Sequence, residues 1–332
     1  MTAKRLLWGG VMTPLVTPFL KGQVDYAAFD HLVEWQIEAG IEGLVVNSLM
    51  GEGPTLSAVE RRSLISRAVH ISRRRIPIIA ATGTYSTETT CQRTLEAEQL
   101  GADAALIVQP YYNRPGQKGI VQHFEKVAAA TDIPIVIHND PRHAGVELKS
   151  ETLLRLLRIP AVIGVVGDLP DTSGEGIVRD RNAGNVIHFT EDESLSFESF
   201  VRCNGSVLAV ANICPSAVVA MYGAIRRGDL AQARELHGNL QSVMKSSAEE
   251  GQPALLKSVL ACLRGISEEV RLPLTPVASE AADSILLALR SMRGSATSVN
   301  QRRLISEAKV ARIDGWAASN SNEECASFPA NH

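Results

Sequence analysis

His138, Asp140 and His143 stand within one short stretch that follows the apolar run Ile135-Val136-Ile137. Further acids follow two later runs of the same kind: Asp168 after Val162–Val166, and Glu191 with Asp192 after Val186–Phe189. Imidazole beside carboxylate is a general acid–base pairing, because the carboxylate orients the ring and moves its pKa toward the working pH. The same donors can hold a divalent metal. The spacing His-x-Asp-x-x-His is not a metal signature by itself, and solvated loop residues of ordinary pKa are the competing account. Glu52, Tyr111, Tyr112 and Asn212 also lie just beyond apolar runs. We expect neither a metal nor a cofactor.

The five cysteines, Cys91, Cys203, Cys214, Cys262 and Cys325, are odd in number, widely spaced and form no C-x-x-C. That argues against a cysteine zinc site or a disulfide framework, and for small buried side chains in a reducing compartment. The charge balance of 33 basic against 36 acidic residues gives no reason to expect nucleic acid or an anionic membrane as partner. Met1–Gly10 has no long apolar core, and no window reaches the roughly 18 apolar residues of a membrane span. A cytoplasmic location is expected.

The elements that must position these groups read as alternating strands and helices. Gly10–Thr13, Leu44–Val46, Ile78–Ala80, Ala105–Val108, Ile135–Ile137, Val162–Val166, Val186–Phe189 and Val207–Val210 are continuous apolar runs. Such runs suit strands buried on both faces, as in a parallel sheet. Asp25 caps a helix with Phe29, Leu32, Val33 and Ile37 on one face, stopped at Gly40. Ser57 with Glu60 forms a capping box, Ser86 opens a helix ending near Gly101, and Ser150 precedes Leu153, Leu154 and Leu157. Pro170–Gly184 is the weakest helix of the pattern. Ile-Pro comes just ahead of a strand at Ile76-Pro77, Ile133-Pro134 and Ile159-Pro160, where the fixed proline φ ends one element and launches the next. The pattern predicts a (β/α)8 TIM barrel over 7–215 and a C-terminal helical segment over 216–293. Three helices, Leu230–Lys245, Pro253–Arg264 and Ser279–Arg293, make up that segment, and a Ser-, Asn- and Ala-rich tail covers 294–332, with one short helix possible around Leu304–Ala311. An open doubly wound sheet is the alternative, weakened because no G-x-G-x-x-G follows the first strand.

Several motifs in order resemble the dihydrodipicolinate synthase / N-acetylneuraminate lyase family. They are Thr17-Pro18-Phe19, Gly51-Glu52-Gly53-Pro54-Thr55-Leu56-Ser57, Gln109-Pro110-Tyr111-Tyr112-Asn113-Arg114-Pro115, then Asn139, Pro141 and Gly145. Gly205-Ser206-Val207 through Asn212 and Pro215, and Arg271-Leu272-Pro273-Leu274, complete the set. The resemblance spans about Leu7–Arg293. It implies a barrel, commonly a homotetramer built as a dimer of dimers, that forms a Schiff base between a strand-six lysine and a 2-keto acid. The protonated imine is an electron sink for the carbanion of aldol chemistry. It also implies that a tyrosine lent across a subunit contact completes a proton relay.

The departures fall on that chemistry. The lysine position is Val166, which has no nucleophile, and the strand-five tyrosine position is His138. The two residues before Gly51, usually hydroxyl-bearing, are Leu49 and Met50, and an arginine that some members use on a distal carboxylate falls at His143 beside Arg142. Lys21, Lys118, Lys126 and Lys149 lie on loops or helices, not at strand ends. Leu49, Met50, Val166 and Val207 would give an apolar pocket, with His143, Asp168 and Glu191 as its polar groups. His138 is the leading acid/base candidate and Tyr112 its neighbour. Glu52 is expected to order a βα loop and Asn212 to bridge strand-end backbone. Three accounts stay open: a barrel that binds a small organic ligand, keto-acid-like or less polar, and acts as a lyase without a Schiff base; a non-catalytic ligand-binding or assembly relative; and a pyruvate-dependent aldolase using another lysine.

Overall fold

The computed structural model describes residues 9–167, 169, 186–191, 197–248 and 252–294. Asp168, Asp192, the Pro170–Gly184 helix and the tail after Gly294 lie outside them. Eight parallel strands close into a barrel: β1 Gly10–Pro14, β2 Gly43–Val46, β3 Ile78–Ala81, β4 Ala104–Val108, β5 Ile135–Asn139, β6 Val162–Gly167, β7 Ile187–Thr190 and β8 Gly205–Val207. Each pairs with the next in chain order and β8 returns to β1, so the (β/α)8 expectation holds.

The helices between them are α1 Tyr26–Glu38, α2 Ala58–Ser72, α3 Thr87–Gln99, α4 Gln117–Ala129, α5 Ser150–Leu157 and α6 Phe197–Arg202. The caps behave as their chemistry requires. The Asp25 carboxylate accepts from Ala28 N at 3.0 Å, Ser86 caps α3, and both halves of the Ser57/Glu60 capping box form. Strand side chains alternate. Met12, Val45, Ile79, Leu106, Val136, Val166, Phe189 and Val207 fill the barrel interior. Their neighbours Ile107, Ile135, Ile137 and Val165 face outward, onto Ile120, Phe124 and Leu153 of the helices.

Two expectations are corrected. The last strand is Gly205–Val207, not Val207–Val210, and Ala209–Asn212 coils into a 3-10 turn. Apolarity continues through that turn because all four of its residues are buried, so hydrophobicity alone does not show where the strand stops. Gly205 is what lets β8 sit against β1, since a Cβ there would meet Gly10 O at 2.1 Å. Among the described residues after Pro215 there are four helices rather than three. The addition, α7 Pro215–Arg227, has proline in its first turn and left-handed Gly228 as its stop, and it packs on β1. Then come α8 Leu230–Ala248, α9 Gln252–Arg264 and α10 Ser279–Gly294.

Candidate active site at the barrel mouth

His138 lies one residue before the carboxyl end of β5. Inward and outward positions alternate, so Ile135 and Ile137 meet the helices while Val136 and His138 turn inward. In register, His138 stands between Val108 of β4 and Val166 of β6. The imidazole therefore lies beside Val166. From the end of β7, Glu191 reaches across β6, and its Oε2 lies 2.7 Å from His138 Nε2. Gly167 makes that approach possible. Its φ is +98°, and a Cβ there would stand 2.3 Å from Asn139 O and 3.1 Å from the Glu191 carboxylate.

Beyond β5 the chain turns at once into the one-turn helix Pro141–Ala144. Asp140 caps it, accepting from His143 N at 3.2 Å, and the same carboxylate bonds His143 Nδ1 at 2.5 Å. Gln109 secures this corner through Asp140 N, Asn139 Oδ1 and Val146 O. The charges balance in pairs. Burial pushes His138 down, but the Glu191 charge, its hydrogen bond and the Asp140 charge more than offset that, and the ring ends above its ordinary value. Hydrogen bonding to Asp140 raises His143. Burial would raise Asp140, yet the two imidazoles hold it below the usual carboxylate value. The cluster is thus two imidazole–carboxylate pairs, in which each carboxylate favours the protonated form of its ring.

His138, Asp140 and Glu191 each offer a ligand atom within 4.8 Å of the others, a set whose chemistry suits zinc or manganese. Those atoms also meet one another, His138 with Glu191 and Asp140 with His143.

A cavity of about 270 Å³ opens beside the cluster. Of the residues expected to line it, Leu49, His138 and His143 do; Asp140 joins them. Val166 and Val207 lie beneath, in the packed interior, and Met50 packs among the core residues behind the β2 loop. Tyr112 is not among the residues that line the cavity of the single chain. It sits at φ +66° with 90% of its surface exposed, whereas Tyr111 lines the cavity edge-on to Tyr85. Asn47, Ser48, Arg61 and Arg93 also line it, and the sequence reading missed all four. The arginines belong to helices α2 and α3, where charged residues are ordinarily solvated. Only the fold brings those two helix faces to the mouth.

The expected bracing residues take their places. Asn212 accepts from Val16 N at 3.1 Å and donates to Pro14 O and Ala209 O. Glu52 is fully buried, accepts from Arg271 N at 2.9 Å and pairs with Lys257, a lysine of α9 beyond the barrel strands. Lys257 Nζ also donates to Glu269 O at 2.8 Å and sits 4.0 Å above the Phe19 ring. Burial lowers its pKa to about 8.

Comparison with known proteins agrees with this architecture. The model of the Dihydrodipicolinate synthetase family matches residues 7–291. A 4-hydroxy-tetrahydrodipicolinate synthase from Thermodesulfovibrio yellowstonii is 36% identical over 290 residues, 86% of this chain and 98% of that protein. The crystal structure of dihydrodipicolinate synthase from Thermotoga maritima superposes with a TM-score of 0.82 at 32% identity, covering 86% of this chain and 99% of that one. The chloride-inhibited enzyme from Acinetobacter baumannii, solved with pyruvate, gives 0.80 at 34% identity, over 86% and 98%.

Proposed function

The chain belongs to the dihydrodipicolinate synthetase family, and we propose that within it this protein is a divergent barrel that binds a small organic acid and acts on it as a lyase by acid–base chemistry, without a Schiff base. The observation that carries this is the 2.7 Å His138–Glu191 pair at the barrel mouth, in register with Val166. Active groups of this fold stand at the carboxyl ends of the strands. The Glu191 carboxylate holds the His138 ring in place and favours its protonated form, which suits it to donate a proton. Protonation of a leaving oxygen, or of a developing enolate, is within the reach of that pair. The apolar floor of Leu106, Val166 and Phe189 offers nothing to hold a bare keto acid by itself.

The test is borohydride trapping with pyruvate and a set of 2-keto acids, read by intact mass beside a family member that traps. We expect no adduct here. A stable adduct overturns the proposal, and peptide mapping then asks whether Lys257 carries it. A second reading, a relative that binds without turnover, draws on that same apolar floor. It is separated by a substrate screen of wild type against His138→Asn: turnover abolished at retained affinity supports the lyase, and no turnover in either supports the binder. Self-association into dimers of dimers is also proposed, supported by Tyr112, whose ring stands out from the single chain at a left-handed backbone position. A cytoplasmic site of action fits the odd, widely spaced cysteines. No helix among the described residues is long and apolar enough to cross a membrane.

A further inference from the structure

The cavity carries one feature that the His138 cluster leaves unused. Arg61 of α2 and Arg93 of α3 both line it, close enough for each charge to act on the other. Among the described residues no carboxylate pairs with either guanidinium. Arg61 gives one N–H to Leu56 O at 2.8 Å, while Arg93 Nε is buried without any partner. The nearby acid of α3, Glu96, faces Arg62 at 3.7 Å and accepts from Gln92. Asp140, the one acid on the cavity wall, is held by His143. Two further buried polar atoms without partners, Ser48 Oγ and Asn47 Oδ1, belong to residues that line the same cavity, and Asn47 is itself only 6% exposed. Buried polar atoms are nearly always satisfied, so three orphans around one cavity mark a missing partner. Two guanidinium groups with no direct carboxylate partner among the described residues state its sign.

We propose that Arg61 and Arg93, with Ser48 Oγ, form an anion subsite that receives a carboxylate or phosphate group of the ligand, while Asn47 Oδ1 accepts from a ligand hydroxyl. A guanidinium suits this work because its fork of N–H donors matches the oxygens of either group. Burial strengthens each charge-assisted bond relative to water. The inference rests on the reading that this cavity is the ligand site, and it adds the ligand class: an organic anion whose charged end lies on the α2/α3 side and whose reacting end lies toward His138.

Isothermal titration calorimetry tests it, using acetate, succinate, 2-oxoglutarate and inorganic phosphate on wild type, Arg93→Gln, Arg93→Lys and His138→Asn. The expected result is that at least one di-anion or phosphate binds wild type, that Arg93→Gln weakens it about tenfold or more, and that Arg93→Lys recovers part of the loss. The preference for phosphate over the carboxylates, or the reverse, identifies the group. Thermal unfolding supplies a second readout. Among the described residues the Arg93 side chain makes no hydrogen bond that its replacement would break, so Arg93→Gln should unfold at an unchanged or higher temperature while binding falls. Equal affinity in wild type and Arg93→Gln overturns the subsite and leaves the lyase reading standing. Binding that depends on Arg93 beside a trapped imine keeps the subsite and removes the lyase reading. No binding of any probe to wild type overturns the inference.

Discussion

At the scale of single residues, the site is a matter of which charge holds which. The folded pKa of His138 lies above the ordinary value of 6.5. Its pairing with Glu191 therefore contributes stability that is complete below the unfolded pKa and is lost as pH rises through the folded one. Thermal unfolding of wild type and Glu191→Gln across pH 5 to 9 checks this: the wild type's advantage should be largest at the acid end and shrink toward the alkaline end. Asp140 has the opposite sign. Its depressed pKa gives stability above the unfolded value that fades only in strong acid. Gly167→Ala attacks the pair by shape rather than charge. The new methyl would meet both Asn139 O and the Glu191 carboxylate, at a φ that L-residues rarely take. We expect a loss of about 1–3 kcal/mol in urea unfolding, and the pH dependence assigned to His138 should vanish with it.

At the scale of elements, α2 does two jobs through its first turn. Ser57 and Glu60 close the capping box, Glu60 also pairs with Arg271, and Arg61 follows at the cavity wall. Ser57→Ala should cost about 1 kcal/mol in denaturant unfolding and weaken anion binding through the fraying of that turn. Strands and caps were legible because their causes are local: a doubly buried strand is apolar throughout, and a cap names itself by Ser, Asp or Glu at a fixed offset. His138 and Glu191 were legible as candidates because they end such strands. Their meeting depended on Gly167, whose left-handed backbone no spacing reveals. Arg61, Arg93 and Lys257 were not legible, since on a helix a basic residue reads as solvated until the packing of its neighbours is known. Tyr111 and Tyr112 are adjacent, and only the backbone conformation decides which ring turns toward the cavity.

At the scale of the whole molecule, the C-terminal helices brace the mouth from outside. Lys257 and Arg271 converge on Glu52 and the Phe19 ring, joining α9 and the segment after it to the loops beyond β1 and β2. Removing one partner of a fully buried pair strands the other charge. Lys257→Met should therefore cost about 3–5 kcal/mol, and Lys257→Met with Glu52→Gln distinctly less, as measured by chemical unfolding of both variants. Tyr112→Ala should leave the chain folded while lowering the mass found by light scattering, if that ring belongs to a subunit contact. The Glu52–Lys257 bond spans 205 positions of sequence. During synthesis the whole barrel leaves the ribosome before Lys257 does, and until then the loop bearing Leu49 and Gly53 encloses a carboxylate with no counter-charge.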